Sequence, residues 1–200
     1  MKPNSKIKFD PFIKGEKIDL VVLTEEIVEK TNWFNWFNDE ETTLHMQKHY
    51  FPNSKKLQIE FFNNALKNNQ STIQLGILDK KKSVLFGVIS LSSIDLLNRN
   101  AEWSVLIGEK EYRQLFYVNE AIDLMLKHAF FTLNLHKVNG GYVETLKEWG
   151  IFMQRRFNFK EEGRLKSQMY KNGEYLDIIL IGLLKNDYLK INNKIKKDRA

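Results

Sequence analysis

The stretch from residue 103 to residue 122 contains the residue types and the spacing that bind an anion. Its pattern predicts a strand, a short loop and the start of an amphipathic helix. In such an arrangement the loop amides and the N-terminus of the helix converge on a phosphate group. The loop, residues 113–119, begins with Arg113 but contains no glycine. The sequence therefore predicts a phosphate-binding loop whose usual small residues have been replaced.

The elements around this loop predict a mixed α/β fold. Apolar residues at helical spacing predict helices at 25–37, 54–67, 119–133 and 147–156. Apolar or alternating runs predict strands at 17–23, 72–78, 84–94, 101–107, 137–143, 159–169 and 175–184. Thr24 is a candidate N-cap, and Gly87 is a candidate bulge. This order predicts a central mixed sheet with helices on both faces and one parallel crossover around the long helix.

The composition excludes several classes of protein. The chain has 200 residues, of which 42% are hydrophobic, so it can form a sizeable core. No apolar run approaches the ~18 residues that span a bilayer. The chain has no cysteine, which excludes disulfides, thiolate metal sites and a cysteine nucleophile, and its 4 scattered histidines argue against a metal site. We expect a cytoplasmic protein with no membrane partner.

The net charge of +6 is partly concentrated at the C-terminal end. We divide the chain into an N-terminal extension at 1–15, a single domain at 16–188 and a basic tail at 189–200. The tail has the charge of a segment that binds nucleic acid or a membrane, but a solvated, frayed chain end is the more common explanation of such a charge run. We favour the solvated end and expect no nucleic-acid partner. A mild basic excess also suits a ligand that carries phosphates.

Three segments read Trp-Phe-Asn-Asp-Glu at 36–40, Phe-Gly-Val-Ile-Ser-Leu at 86–91 and Asn-Arg-Asn-Ala-Glu at 98–102. Together with three further segments they resemble the GNAT superfamily of acyl-CoA-dependent N-acetyltransferases, in the branch of ribosomal-protein, spermidine and amino-sugar acetyltransferases. The others lie at 134–138, 159–165 and 172–177. Their order and spacing over residues 18–188 imply a GNAT-like acyltransferase fold.

The resemblance implies that acetyl-CoA is the acyl donor and that a primary amine is the acceptor. The pantetheine arm would pair with the backbone of Val105, Leu106 and Ile107. Glu102 stands where this branch often places the carboxylate that takes the proton of the amine, although a strand-end glutamate also forms ordinary salt bridges. The pyrophosphate would lie on the loop, whose members are Arg113, Gln114, Leu115, Phe116, Tyr117, Val118 and Asn119. Transfer would be direct, without a covalent intermediate or a metal.

The loop departs from the family pattern [Gln/Arg]-x-x-Gly-x-[Gly/Ala]. Arg113 matches the first position, but Phe116 and Val118 replace the two small residues. Glycine adopts a positive φ at little cost and lets a phosphate approach the backbone closely, whereas valine resists a positive φ. The two larger side chains must therefore point away from the ligand.

The second half of the chain departs from the pattern as well. Lys147, Gly150 and Gln154 replace an asparagine, a serine and a tyrosine that are usual in the family. That tyrosine commonly acts as the general acid, so no acid can be assigned by resemblance. Tyr142, Tyr170 or water remains open for this role.

In this family the first helical region lines the acceptor pocket. We predict that Trp36, His45 and Tyr50 contact the substrate, whereas Trp33, Phe34 and Phe37 belong to the core. Aromatic and imidazole side chains suit a sugar ring or a nucleotide base.

Three functions are compatible with these observations. The first is an N-acetyltransferase that acts on a small-molecule amine such as an amino sugar or a nucleotide-sugar. The second is a GNAT-fold protein that binds a ligand without catalysis, since the loop glycines and the usual asparagine and tyrosine are missing. The third is a protein N-terminal acetyltransferase, whose channel would be open and acidic. The aromatic content also permits a homodimer.

Overall fold

The structure is a computed structural model that describes residues 7–197, with the side chains of 192–197 left out of the description. The described chain forms two compact units. The first unit contains residues 7–43, 48–92 and 104–125, and the second contains residues 44–47, 93–103 and 126–197.

Eight strands supply the mixed sheet. They are β1 (Pro11–Lys14), β2 (Ile18–Val22), β3 (Ile73–Asp79), β4 (Val84–Asp95), β5 (Asn100–Ile107), β6 (Lys137–Val143), β7 (Lys160–Lys171) and β8 (Glu174–Leu184). In the first unit the hydrogen-bonded order is β1-β2-β3-β4-β5, and in the second it is β5-β6-β8-β7. The β5–β6 pair is parallel, as the predicted crossover requires, and the other ladders that involve β1, β2, β3, β7 and β8 are antiparallel.

Seven α-helices accompany these strands in the described chain. They are α1 (Glu25–Lys30), α2 (Trp33–Trp36), α3 (Glu40–Thr43), α4 (Lys55–Phe61), α5 (Leu115–Lys127), α6 (Lys147–Phe157) and α7 (Lys185–Lys197). A π-helical turn extends α4 over Phe62–Leu66, and another extends α5 over His128–Thr132. None of the helices in the described residues is both long enough and apolar enough to cross a membrane. A cytoplasmic location stays a prediction.

Most of the predicted elements are confirmed, including the mixed sheet. Thr24 caps α1 by accepting a hydrogen bond from the Ile27 amide at 3.3 Å. The ladder between β3 and β4 shifts its register between Ile77 and Leu78, opposite Gly87, which confirms the predicted bulge. The turn after β7 contains Gly173 with a φ of +89°.

Two predictions about secondary structure are wrong, and two elements were not predicted. The helix predicted at 25–37 is divided into α1 and α2, because Thr31 is extended and its hydroxyl caps α1 by donating to the Ile27 carbonyl. The predicted loop 113–119 is helical from Leu115 onward, so α5 begins four residues earlier than we expected. The sequence analysis also missed β1 and α7.

The domain bounds stay a prediction. Helix α7 covers residues 185–197, which include most of the segment interpreted as a basic tail. Residues 1–6 and 198–200 lie outside the described residues, so the corresponding parts of the predicted extension and tail are not described.

Each unit has its own apolar core. In the first unit α1, α2 and the turn after α4 pack on β2, β3 and β4, and Trp33 is completely buried. In the second unit Trp103 of β5 packs against Trp149 of α6 and against Phe159, with ring centroids 6.2 and 5.5 Å apart. Tyr188 of α7 packs on Phe130 at 5.2 Å, which explains why α7 folds although most of its residues are polar.

Candidate active site

The segment that joins β5 to the predicted phosphate-binding loop begins at a close contact between Gly108 and Trp36 in the first unit. A β-carbon on Gly108 would lie 1.9 Å from Cδ2 of the Trp36 ring, so only glycine fits there. The Trp36 indole N–H donates to the Glu109 carboxylate at 2.9 Å. The amides of Gly108 and Glu109 both donate to the Phe86 carbonyl, at 2.9 and 3.1 Å. The end of β5 is therefore fixed by packing and by three hydrogen bonds.

Tyr112 fixes the next part of the loop. Its ring is buried and stacks on Phe86 with centroids 4.3 Å apart. Its hydroxyl donates to the Asp79 carboxylate at 3.1 Å. Burial, followed by the hydrogen bond to Asp79, raises the pKa of Tyr112, so the hydroxyl stays protonated. This anchor holds the chain in place immediately before Arg113.

Arg113 is bound by side chains of the α3 region. Its Nη1 lies 2.5 Å from Oε1 of Glu41, and its Nη2 donates to the Thr42 hydroxyl at 2.8 Å. Lys110 binds the other oxygen of Glu41 at 2.5 Å. The side chain expected to meet a phosphate is thus already paired with a carboxylate of the same unit. Sequence analysis missed Glu41, because 72 residues separate it from Arg113.

Asp39 binds both Thr42 and Lys110, which are themselves partners of Arg113 and Glu41. The Thr42 hydroxyl and amide donate to its carboxylate at 2.6 and 2.7 Å, and Lys110 lies 3.4 Å away. These hydrogen bonds from Thr42, supported by Lys110, lower the pKa of Asp39 to about 2. Asp39 is therefore ionised at neutral pH.

The first turn of α5 accommodates both of the large residues that replace the family's small ones. Val118 is buried in the core, whereas Phe116 is 42% exposed and has the Lys17 ammonium 4.8 Å from its ring centroid. None of the residues 113–119, all of which the structure describes, has a positive φ. The backbone here therefore does not need the conformational freedom of glycine.

The start of α5 also fits a phosphate electrostatically. The helix has 13 residues, and its first turn contains no acidic side chain that would neutralise the partial positive charge of its N-terminus. The side-chain oxygen of Asn119 is buried and accepts no hydrogen bond from any residue that the structure describes. A buried acceptor of this kind is usually satisfied by a ligand or by water. The free amides and the uncompensated N-terminus of α5 therefore fit a phosphorylated ligand.

The predicted pantetheine-binding residues follow Glu102 along β5. The β5–β6 ladder contains the pairs Asn100–Lys137, Ala101–Val138 and Glu102–Asn139. Val105, Leu106 and Ile107 lie further along β5, in the first unit, and are partly buried.

Glu102 occupies the last paired position of this ladder, in the second unit. Its side chain is exposed, and strand alternation directs it to the face opposite Trp103. Gly140 of β6 lies on the Trp103 face, because a β-carbon there would lie 3.0 Å from the Trp103 indole nitrogen. Glu102 and its neighbour Asn139 therefore share the other face.

The structure divides the three predicted acceptor-binding residues between the two units. Trp36 is only 2% exposed, whereas Tyr50, in the same unit, is 49% exposed. His45 belongs to the second unit, where its Nδ1 lies 3.4 Å from the Thr145 hydroxyl. Burial, with a smaller contribution from Lys171, lowers the pKa of His45, so the ring is neutral at pH 7. A role of these residues in substrate binding stays a prediction.

Each unit contains a cavity lined by charged side chains. The cavity of the first unit measures about 420 Å³, and Asp39, Glu109, Lys110 and Glu111 contribute its charged groups. The cavity of the second unit measures about 390 Å³. Its lining includes the side chains of Tyr142, Lys147, Gln154, Glu161 and Arg164.

Comparison with known proteins identifies the class. Residues 20–145 match the family model described as "Acetyltransferase (GNAT) domain". The spermidine N(1)-acetyltransferase of Vibrio cholerae is 27% identical over 132 residues, which cover 65% of this chain and 73% of that protein. A putative ribosomal N-acetyltransferase of Bacillus subtilis is 31% identical over 104 residues, which cover 52% of this chain and 56% of that protein.

A solved structure supports the same fold. The spermidine N-acetyltransferase from Vibrio cholerae, in complex with CoA and spermine, superposes with a TM-score of 0.77 at 21% identity and covers 88% of this chain and 99% of that one. The chain belongs to the GNAT acetyltransferase family. It is an acetyl-CoA-dependent N-acetyltransferase, which confirms the predicted enzyme class and acyl donor.

Proposed function

We propose that this enzyme acetylates a primary amine of a polyamine of the spermidine or spermine type, with Glu102 as the base. The observation that carries the proposal is the position of Glu102, an exposed carboxylate at the last paired position of the β5–β6 ladder. An amine is protonated at neutral pH and must lose a proton before it can attack an acyl group. A strand-borne carboxylate can accept that proton directly or through one water.

The choice of a polyamine rests on charge and on the relatives. Asp39, Glu109 and Glu111 line the cavity of the first unit together with the single cation Lys110, so its lining is net negative. Such a surface attracts a ligand with several positive charges. Relatives from Vibrio cholerae and from Escherichia coli are named spermidine N(1)-acetyltransferase. An amino sugar carries a single ammonium group and gains less from this charge.

The acyl donor would be bound by the backbone of β5 and by the N-terminus of α5, without the glycines that are usual in the family loop. Acetyl-CoA supplies an acetyl thioester, whose carbonyl carbon is open to attack by an amine. The backbone of Val105, Leu106 and Ile107 would bind the pantetheine arm. The amides of Leu115 and Phe116, at the start of α5, would bind the pyrophosphate together with Arg113.

The acceptor class is tested by steady-state acetylation of spermidine, spermine, glucosamine and a peptide with a free N-terminus. We expect kcat/KM for spermidine or spermine to exceed that for the other two by at least about tenfold, which corresponds to one well-placed charge interaction. A clear preference for glucosamine or for the peptide would overturn the polyamine assignment.

The base is tested with Glu102→Gln. We expect kcat to fall about 100-fold, because a general base contributes at least that much. Calorimetric affinity for CoA should stay unchanged, since the glutamine keeps the shape of the side chain. Glu148→Gln, an exposed position on α6, is the matched control. A rate equal to wild type in Glu102→Gln would remove Glu102 from the mechanism.

A further inference from the structure

The cavity of the second unit lies on the sheet face opposite Glu102 and has no part in the proposed acetyl transfer. Paired residues of neighbouring strands present their side chains to the same face of a sheet. The β6–β8 and β7–β8 ladders thus place six residues in two rows, Tyr142, Ile179 and Arg164 in one and Gly140, Ile181 and Glu161 in the other. Gly140 also contacts the Trp103 indole, so the rows lie on the Trp103 face. Helix α6 covers this face, because its Trp149 stacks on Trp103.

The cavity has the size and the apolar floor of a small-molecule site. It measures about 390 Å³, and Phe159, Ile179 and Ile181 form a floor in which each side chain is at most 5% exposed. Helix α6 approaches so closely only because Gly150 has no side chain, since a β-carbon there would lie 2.1 Å from the Tyr142 hydroxyl oxygen. Ligand sites of proteins are typically about 300–1,000 Å³ with mostly apolar walls. The cavity falls in this range.

One wall of the cavity is fixed by ion pairs. Nη1 of Arg164 lies 2.9 Å from a carboxylate oxygen of Glu144 and 2.9 Å from one of Asp177. The second oxygen of Glu144 accepts a hydrogen bond from the Asp177 amide at 2.9 Å. The charges of Glu144 and Arg164 are therefore compensated within the protein.

Four other polar side chains line the cavity with their hydrogen-bonding capacity unused. Neither the Lys147 ammonium, the Glu161 carboxylate, the Tyr142 hydroxyl nor the Gln154 carboxamide forms a hydrogen bond or an ion pair with a residue that the structure describes. Burial raises the pKa of Tyr142, Glu161 raises it further and Arg164 opposes both effects, so the hydroxyl stays protonated and can donate. The cavity thus offers one uncompensated charge of each sign, on Lys147 and on Glu161.

We propose that this cavity binds a free α-amino acid that has an apolar side chain. The Lys147 ammonium would bind the carboxylate of the ligand, and the Glu161 carboxylate would bind its ammonium group. The apolar side chain of the ligand would lie on the floor formed by Phe159, Ile179 and Ile181. The inference goes beyond the acetyl transfer and does not depend on it.

The charges of the cavity favour a zwitterion over an ion of one sign. A ligand that carries only one charge would displace water from both Lys147 and Glu161 but would pair with only one of them. The charge left without a partner would oppose binding. A polyamine would in addition be repelled by Lys147. An amino acid compensates both charges at once.

The ligand class is tested by calorimetry on the full-length protein in the absence of acetyl-CoA. We expect leucine to bind with a Kd of about 1 mM or lower. Leucinamide lacks the carboxylate, isocaproate lacks the ammonium group and glycine lacks the apolar side chain. Each of these three compounds should bind at least about tenfold more weakly than leucine. No binding of leucine, or equal binding of leucine and isocaproate, would overturn the proposal.

The assignment of the two charges is tested with Lys147→Met and Glu161→Gln. Each variant should weaken leucine binding at least about tenfold. In Lys147→Met, leucine and leucinamide should bind equally well, because the group that distinguishes them has lost its partner. In Glu161→Gln, leucine and isocaproate should bind equally well for the same reason.

The matched controls are Lys160→Met and Glu148→Gln, exposed positions that do not line the cavity. Both should keep the wild-type affinity for leucine. Unchanged leucine binding in Lys147→Met and Glu161→Gln would place the ligand elsewhere and overturn the proposal. A wild type that binds leucine but acetylates no polyamine would contradict the proposed function and leave this site standing.

Discussion

Nη1 of Arg113 lies 2.5 Å from Oε1 of Glu41, so the arginine that opens the donor loop is paired with an acidic residue of α3. Glu41 also binds Lys110 through its second oxygen. Lys110, followed by Arg113, lowers the pKa of Glu41, which keeps the carboxylate charged. A phosphate group that uses Arg113 must compete with this carboxylate.

Replacing Glu41 by glutamine should therefore strengthen CoA binding. Glu41→Gln removes the competing charge but keeps a side chain of the same size, and we expect the calorimetric Kd for CoA to fall by up to about fivefold, the range of an exposed ion pair. This increase in CoA affinity should become smaller as salt is added, because salt screens the charge that the substitution removes. Glu40→Gln, an exposed neighbour on α3, is the control. Weaker binding in Glu41→Gln would show that the Glu41–Arg113 pair positions the loop for its ligand.

Gly108→Ala should destabilise the enzyme strongly. The added β-carbon would lie within 1.9 Å of the buried Trp36 ring, which is itself fixed by its bond to Glu109. We expect the free energy of unfolding to drop by about 3 kcal/mol in urea titration. Gly163→Ala is the matched control, because its β-carbon would come no closer than 3.7 Å to Leu180. Equal urea midpoints for Gly108→Ala and Gly163→Ala would contradict the close contact between Gly108 and the Trp36 ring.

Tyr112→Phe tests the anchor that precedes Arg113. The substitution keeps the stacking on Phe86 but removes the hydroxyl that donates to Asp79. Asp79 keeps its bonds from the amides of Lys81 and Lys82. We therefore expect a loss of about 1 kcal/mol in unfolding free energy. Tyr175→Phe, at a position that is 69% exposed, should leave the unfolding curve unchanged.

Asp39 should make the folded state sensitive to acid. Its pKa is lowered in the folded state from an ordinary 3.8 to about 2, so the folded state binds fewer protons than the unfolded state in this window. Its stabilising effect is complete above pH ~4 and disappears as the pH falls toward about 2. The stability difference between wild type and Asp39→Asn should be constant at neutral pH and shrink over that acidic range. A difference that does not change with pH would contradict the Thr42–Asp39 bonds. Glu148→Gln serves as the control for the loss of an exposed carboxylate.

The sequence predicted those features of the fold that local patterns encode. The apolar periodicity of α5 and the alternation in β5 and β8 are local signals, and so is the hydroxyl of Thr24 before α1. The start of α5 was misplaced because Phe116 and Val118 were judged by a pattern in which glycine marks a loop. Helix α7 was missed because its lysines outweigh Tyr188 in composition, although Tyr188 is the residue that packs on Phe130.

The features of the candidate site that the sequence did not predict are contacts between distant residues. The pairing of Arg113 with Glu41 and the contact of Gly108 with Trp36 each join positions about 70 residues apart in the chain. The contact of Tyr142 with Gly150 joins neighbouring elements, but it depends on which face of β6 meets α6. The replacement of a serine by Gly150 was visible in the sequence, whereas the side chain that occupies the vacated space was not.

The continuity of β5 has a consequence for how such an enzyme can change. Glu102 and Val105 are three residues apart on one strand, which corresponds to about 10 Å at the usual rise per residue. Insertion of one residue between them would lengthen this interval by about 3.3 Å and turn one of the two side chains to the other face. Loops can be lengthened to suit a new acceptor. The segment from Glu102 to Val105 cannot, because an insertion within the strand would change both the distance and the facing of its side chains. We therefore expect natural variants to preserve its length even where the residues themselves differ.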